Sequence, residues 1–226
     1  MTFDAAMDGA ARWTAVDGYL ENLYVGGDSA QARVVAAQRA ADLPDIAVSA
    51  MHARLLGILA RSIGARTVVE FGTLGGYSTL HLARSVPDDG RVITHERDPR
   101  HADVARASLD AAGVGHKVTI CIGTALEMLP VLADDAPVDF TFIDADKPNN
   151  TNYYEAAVAI SRRGALIVID NVVRDGEIAD ADTDDPKVVG SRAVIERVAN
   201  DPRVEATVIQ TVGSKGYDGM LVATVL

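Results

Sequence analysis

The chain has little of what would mark several common protein classes. It contains one cysteine, Cys121, in 226 residues, so no disulfide framework can form within one chain. Cys121 falls in an apolar, strand-like run, where a reduced core thiol is expected. Basic residues are outnumbered, with 21 Lys and Arg against 32 Asp and Glu and a formal net charge of −11. A nucleic-acid binder needs a broad phosphate-neutralising surface, and this composition argues against one; the acidic balance reads as a solvated surface. No apolar run approaches the ~20 residues needed to cross a bilayer. The amino terminus, Met1-Thr2-Phe3-Asp4-Ala5-Ala6-Met7-Asp8, has early acids in place of a basic-then-apolar secretory signal. A cytoplasmic protein is expected, with neither membrane nor nucleic acid as partner. His52, His81, His95, His101 and His116 show no ligand spacing and read as structural or exposed.

What is present is a globular composition, 48% apolar, with enough length for one domain and a sizeable core. From Arg66 onward, strand-like runs alternate with helical patterns. The strands expected are Thr67–Phe71, Arg91–Glu96, Val118–Ile122, Val138–Asp144, Ala165–Asn171, Glu205–Gln210 and Gly219–Val225. Helical patterns over Tyr77–Ser85, Arg100–Ala112, Ala125–Ala133 and Tyr153–Arg162 separate the first five, which predicts βαβ units and a parallel sheet with helices on both faces. Pro186–Ala199 reads as a further helix. Thr211–Asp218 is a short glycine-containing link, so the last two strands form an antiparallel hairpin. Before Arg66, Thr14–Leu23, Ser29–Ala41 and Val48–Ile63 have amphipathic helical spacing. The fold class is therefore α/β: a doubly wound, mostly parallel, seven-stranded sheet with a C-terminal antiparallel hairpin and N-terminal helices. Residues 1–47 read as a helical addition, a lid or dimer contact in which Trp13 and Tyr19 bury against the body or a second subunit. Residues 48–226 form the main domain. The acid-rich stretch Arg174–Asp185 reads as a mobile surface loop near the site.

Two strand ends deliver acids. Phe142-Ile143-Asp144-Ala145-Asp146-Lys147 and Leu166-Ile167-Val168-Ile169-Asp170-Asn171 each pass from an apolar run to oxygen-bearing side chains. Ligands of open α/β sheets bind outside the carboxyl ends of the strands, so Asp144, Asp170 and Asn171 would meet at one spot. Such oxygens, with no nearby Cys or His, suit a hard divalent cation: Mg²⁺, with Mn²⁺ or Ca²⁺ as alternatives. Lys147 adds a fixed positive charge beside it. Either acid alone could merely cap the following turn; the combination favours a site. Tyr153-Tyr154, just beyond, is read as packing the next helix in preference to lining a pocket.

The first strand ends Val69-Glu70-Phe71-Gly72-Thr73-Leu74-Gly75-Gly76-Tyr77-Ser78. Glycines at such a turn let a ligand approach the backbone, but the spacing is not that of the dinucleotide GxGxxG. Glu96, closing the second strand, occupies the position where an acid accepts hydrogen bonds from ribose hydroxyls. A carboxylate at Glu70 suits an ammonium- or sulfonium-bearing ligand and would repel a diphosphate, which favours S-adenosylmethionine over NAD.

These blocks and their separations resemble the cation-dependent small-molecule O-methyltransferases, the group that includes the catechol and caffeoyl-CoA O-methyltransferases. The resemblance runs from about Val48 to the C-terminus. It implies a Rossmann-like class I methyltransferase domain in which Glu70, Gly72, Thr73, Ser78, Glu96 and Ala125 contact S-adenosylmethionine, with Val48, Asp144 and Asp146 beside them. It further implies that Asp144, Asp170 and Asn171 ligate the metal and that Lys147 is the catalytic residue. The implied reaction is metal-dependent methyl transfer to a hydroxyl of a small vicinal diphenol, and the implied assembly is a homodimer. The alternatives are a methyltransferase acting on RNA or protein nitrogen and a non-catalytic S-adenosylmethionine-binding protein. Two departures stand out: Ala145-Asp146 replaces aromatic residues found in catechol O-methyltransferase between the first metal acid and the lysine, and the helix beginning near Ser49 lacks the Glu and Gln often seen in the plant enzymes.

Overall fold

A computed structural model describes residues 8–226. Met1–Met7, most of the terminus read above for a signal, lie outside the described residues. Three helices come first: α1 (Gly9–Tyr24), α2 (Ser29–Ala40) and α3 (Ala50–Ser62). Each starts where a short polar side chain takes up free amides of the first turn: Asp8, Asp28 and Ser49. Strands and helices then alternate through β1 (Thr67–Phe71), α4 (Tyr77–Ser85), β2 (Arg91–Glu96), α5 (Pro99–Ala111), β3 (Val118–Ile122), α6 (Ala125–Met128), β4 (Val138–Ile143), α7 (Asn150–Ile160) and β5 (Ser161–Asp170). After α8 (Pro186–Ala199) the chain closes with the hairpin β6 (Val204–Gly213) and β7 (Gly216–Val225).

The seven strands form one sheet in the order β3-β2-β1-β4-β5-β7-β6. β1 to β5 are parallel, and β7 runs antiparallel to both β5 and β6. The chain winds outward from β1 in one direction and then, from β4, in the other. The crevice between β1 and β4 at their carboxyl ends is thus the topological switch point, where ligands of such sheets bind.

Alternation along the strands divides the core in two. Val68, Val92, Phe140, Phe142 and Val168 face a layer with Leu56, Leu80 and Leu109 of α3, α4 and α5. Val69, Phe71, Ile143, Ile167 and Ile169 face Tyr153, Tyr154, Ala157 and Val194 of α7 and α8. From α2, Ala30 and Val34 belong to the first layer, so the N-terminal helices share the sheet's core. Tyr153 and Tyr154 are buried, as the packing reading expects, and Tyr153 also reaches the pocket at the strand ends. Tyr19 is exposed on α1 and Trp13 is half-buried; within one chain Tyr19 does not bury against the body. Cys121 is half-buried against the second layer. Among the described residues no helix is long and apolar enough to cross a membrane.

Several boundaries differ from expectation. α7 ends at Ile160, and the polar run Ser161-Arg162-Arg163-Gly164 is strand, because Ser161 pairs with Val138 across a bulge. The expected helix Ala125–Ala133 stops at Met128 and becomes a 3-10 turn over Leu129–Asp135, with Pro130 lacking the amide an α-helix would use. Thr211–Asp218 is not a loop: pairing continues to Gly213 opposite Gly216, leaving Ser214-Lys215 as the turn. Within the expected loop after β5, Arg174–Ala179 is a kinked 3-10 segment.

Candidate active site

A cavity of about 700 Å³ opens at the carboxyl ends of β1 to β5, a size typical of small-molecule sites. One half is built on β1, β2 and β3. Gly72 follows β1 with φ 100°, and a Cβ there would lie 2.2 Å from the carbonyl oxygen of Asp144. Only glycine lets the first turn pass this close to the end of β4. Gly72, Thr73 and Ser78 line the cavity. The Thr73 and Thr94 hydroxyls are 2.6 Å apart. Glu96 accepts hydrogen bonds from the amides of Leu74 (2.8 Å) and Asp98 (2.9 Å), which ties the glycine turn to the end of β2. Gly123 and Ala125 close this side, with Thr124 capping α6 in a reciprocal pair with Glu127.

Glu70 lies below this half and does not line the cavity. Its parity along β1 turns it towards α4, directly opposite Thr94 in the β1–β2 register. Fully buried, it accepts hydrogen bonds from Ser78 Oγ (2.6 Å), Thr94 Oγ1 (2.7 Å) and Thr79 Oγ1. Burial pushes its carboxyl up to about 7, against the opposing pull of those three hydroxyls. Val48, in the strap that enters α3, walls the cavity together with Pro44, Ile46 and Ala47.

The other half is built on β4 and β5. Lys147 is buried and donates to Asp144 Oδ1 at 2.7 Å. Its backbone is pressed by α8: a Cβ at Gly190 would lie 2.4 Å from the Lys147 carbonyl oxygen, so glycine allows the helix to brace the lysine's turn. Asp146 is exposed and accepts from the Tyr153 hydroxyl (2.5 Å) and from Asn149. Tyr153 stacks on Phe71, which stacks on His95, and His95 reaches the cavity wall. Asp170 is buried and accepts from the amide of Asn171 (2.8 Å), a residue at φ 55°, a conformation asparagine tolerates better than most. Burial and then the charge of Asp144 raise the Asp170 carboxyl well above the usual range, opposed by Lys147 and the Asn171 amide.

The structure therefore brings Asp144, Lys147, Asp170 and Asn171 together, with Asp170 buried behind the wall that the other three line, and gathers Val48, Gly72, Thr73, Ser78, Glu96, Ala125, Asp144 and Asp146 on the walls of the same cavity. It also places a residue that spacing did not single out. His52, on the first turn of α3, has Nδ1 3.7 Å from Asp170 Oδ1 and its ring edge-on to Phe142. Burial lowers its pKa, and Nε2 is buried with no hydrogen-bond partner. The available signal was parity: Phe142, Val168 and Asp170 all point to the face that α3 covers.

A family model described as O-methyltransferase matches residues 29–224. The chain belongs to the O-methyltransferase family. It is 49% identical to a protein named catechol O-methyltransferase from Mycobacterium tuberculosis over 210 residues, covering 93% of this chain and 94% of the relative. Its fold matches the crystal structure of an O-methyltransferase from Bacillus cereus in complex with SAH at a TM-score of 0.93 and 45% identity, covering 96% and 100% of the two chains. TomG from Streptomyces achromogenes, an O-methyltransferase involved in tomaymycin synthesis and solved in complex with SAM, matches at a TM-score of 0.93 and 45% identity over 97% and 99%. The chain is thus an S-adenosylmethionine-dependent O-methyltransferase. Membership of this family favours an oxygen acceptor over RNA or protein nitrogen, and an enzyme over a non-catalytic binder.

Proposed function

We propose that this O-methyltransferase methylates one hydroxyl of a small catechol with the help of a divalent cation, Mg²⁺ by preference, with Mn²⁺ or Ca²⁺ as alternatives. The observation that carries the reading is the facing pair Asp144 and Asp170 at the ends of β4 and β5. A buried carboxylate beside a second carboxylate is costly unless a cation neutralises them. Lys147 takes Asp144 Oδ1, which leaves Asp170 with the Asn171 amide and His52 as its near polar neighbours. Asp144, Asp170 and Asn171 supply oxygen donors of the kind such ions take, so the residues fit the ion.

S-adenosylmethionine, when bound, supplies the methyl group, and the cation supplies charge that lowers the pKa of a phenol, ordinarily about 10. The chain's own part is to hold, orient and desolvate. Gly72, Thr73, Ser78, Glu96 and Ala125 seat the cofactor, with Val48, Asp144 and Asp146 at its edges. Glu70 acts from beneath by fixing Ser78 and Thr94. Lys147 faces the reacting oxygen as an ammonium that stabilises negative charge there, held in place by its hydrogen bond to Asp144. The oxygen–carbon bond forms as the carbon–sulfur bond breaks, and the phenolic proton leaves to solvent.

The N-terminal segment through residue 47 serves as cavity wall by Pro44, Ile46 and Ala47, and as a dimer contact. Support for a homodimer comes from exposed apolar side chains of α1, Tyr19 and Leu23, and of the edge strand β6, Ile209 and Val212. A cytoplasmic setting fits the single reduced thiol. The deciding experiment is a titration of the chelator-stripped protein with Mn²⁺, paired with methyl transfer to catechol. One tight site that disappears in Asp170→Ala, together with turnover abolished by chelator, is expected. Full turnover in chelator would refute the cation's role.

A further inference from the structure

At the outer end of the cavity, beyond β5, two cations face the space, Arg174 with one long ion pair and Lys187 with none among the described residues. Arg174 and Lys187 line it from the two ends of the β5–α8 connection. The Nη1 of Arg174 lies 3.8 Å from Asp218 Oδ2, beyond hydrogen-bond reach, and its Nε is buried with no hydrogen-bond partner. Asp218 divides its oxygens: Oδ1 accepts from the amides of Val173, Arg174 and Gly219 at 3.0, 2.9 and 2.9 Å, and Oδ2 alone faces Arg174. Lys187 is exposed and has no ion-pair partner among the described residues. The acids within the connection, Asp175, Glu177, Asp180, Asp182, Asp184 and Asp185, hold neither cation.

The cavity's acids are in the opposite condition. Asp144 is met by Lys147, Asp146 by Tyr153 and Asn149, and Glu96 by two amides. On the wall beyond β5, Lys187 is the cation without an ion-pair partner among the described residues, although the whole chain is acidic. Two features aim the cations inward. Arg174 is held at φ 54° and is followed by Asp175 at φ 56°; side chains rarely adopt this region, and it persists where surrounding contacts impose it, often at ligand-binding loops. Lys187 lies three residues before Gly190, so the two share a helix face, and Gly190 packs on the Lys147 turn.

We propose that Arg174 and Lys187 select catechols bearing a carboxylate on a short side chain, with the acid at the rim and the diol towards Asp144 and Lys147. The proposal rests on the catechol reading above and adds the charge of the substrate to it.

The test compares 3,4-dihydroxycinnamate, its methyl ester and 3,4-dihydroxyphenethylamine as ligands of the metal-loaded enzyme with S-adenosylhomocysteine present, by calorimetry, and as substrates with S-adenosylmethionine. A charge-assisted contact of this kind predicts about tenfold tighter binding of the acid than of the ester, with the amine weakest. In Lys187→Ala and in Arg174→Ala that advantage should shrink to about threefold or less, and Arg174→Lys should keep part of it. Equal binding of acid, ester and amine by the wild type would overturn the proposal, as would an advantage that survives in the double alanine variant. Lys187→Ala changes an exposed residue and keeps the test valid if Arg174→Ala misfolds. Tighter binding of the acid with no methyl gain on any of the three would support the rim assignment and sink the catechol reading instead.

Discussion

Replacing Glu70 by Gln probes the floor of the cofactor half. The native carboxyl titrates near 7 against an ordinary value of 4.5, burial being the main cause. The folded state therefore holds a proton between these values that the unfolded chain has released. Stability from this group is fully present below about 4.5 and is lost as pH rises towards 7. Each tenfold in proton affinity is worth about 1.4 kcal/mol, so the loss between pH 5 and pH 8 comes to about 2–3 kcal/mol. Gln copies the protonated acid: its carbonyl can accept from Thr79 and Thr94, which share one carboxylate oxygen, while its NH₂ donates to Ser78, whose hydroxyl rotates. Glu70→Gln should match the wild type at pH 5 to within about 1 kcal/mol and lack this share of the decline by pH 8. The assay is urea unfolding at both pH values, in chelator and without cofactor. Asp170 and the buried histidines titrate in both proteins, so the difference between the two profiles isolates Glu70. Parallel profiles would mean that Glu70 is ionised throughout and that the desolvation argument fails.

Other perturbations reach the remaining parts of the site. Lys147→Ala should lower kcat by about a hundredfold or more while cofactor affinity, read by calorimetry, stays within a few-fold; a small loss in kcat would remove the lysine from the chemistry. Gly72→Ala places a Cβ 2.2 Å from the Asp144 carbonyl oxygen at φ 100°, and strain plus overpacking predict a loss of about 2–4 kcal/mol in urea unfolding; an unchanged midpoint would show that the turn can retreat. Asp218→Ala deprives three amides of their acceptor and should speed hydrogen exchange at Val173 and Arg174, with β1 to β3 unaffected.

The apolar strand runs of the first half were legible to the residue: β1, β2 and β3 have the expected bounds, β1 and β2 buried on both faces and the edge strand β3 only partly covered. Ser161–Gly164 was not, because nothing in its polar composition announces a strand; pairing with the start of β4 makes it one. The same holds for Thr211–Asp218, whose glycines and polar residues look like a loop but continue an exposed ladder. At the site, the strand-end acids and the glycine turn could be read directly, since topology alone brings strand ends together. Glu70 was legible as a carboxylate at the cavity but not as one turned beneath it, which depends on strand parity and on hydroxyls from α4 and β2. His52 could be reached only through the parity of β4 and β5, and the Arg174–Lys187 pair only through the folded connection, because their neighbours come from elements distant in the chain.

The reversal of β7 has a consequence for how the enzyme is made. In a wholly parallel sheet the strand beside β5 would offer its last residues to the site; here it offers its first, and Asp218 and Gly219 fasten the chain just after Asp170. β6, although synthesised earlier, can join the sheet only through β7, which lies between it and β5. The pocket thus stays unfinished on a ribosome until β7 has emerged, and a nascent chain that reaches only to Lys215 would carry every motif yet lack a sealed edge.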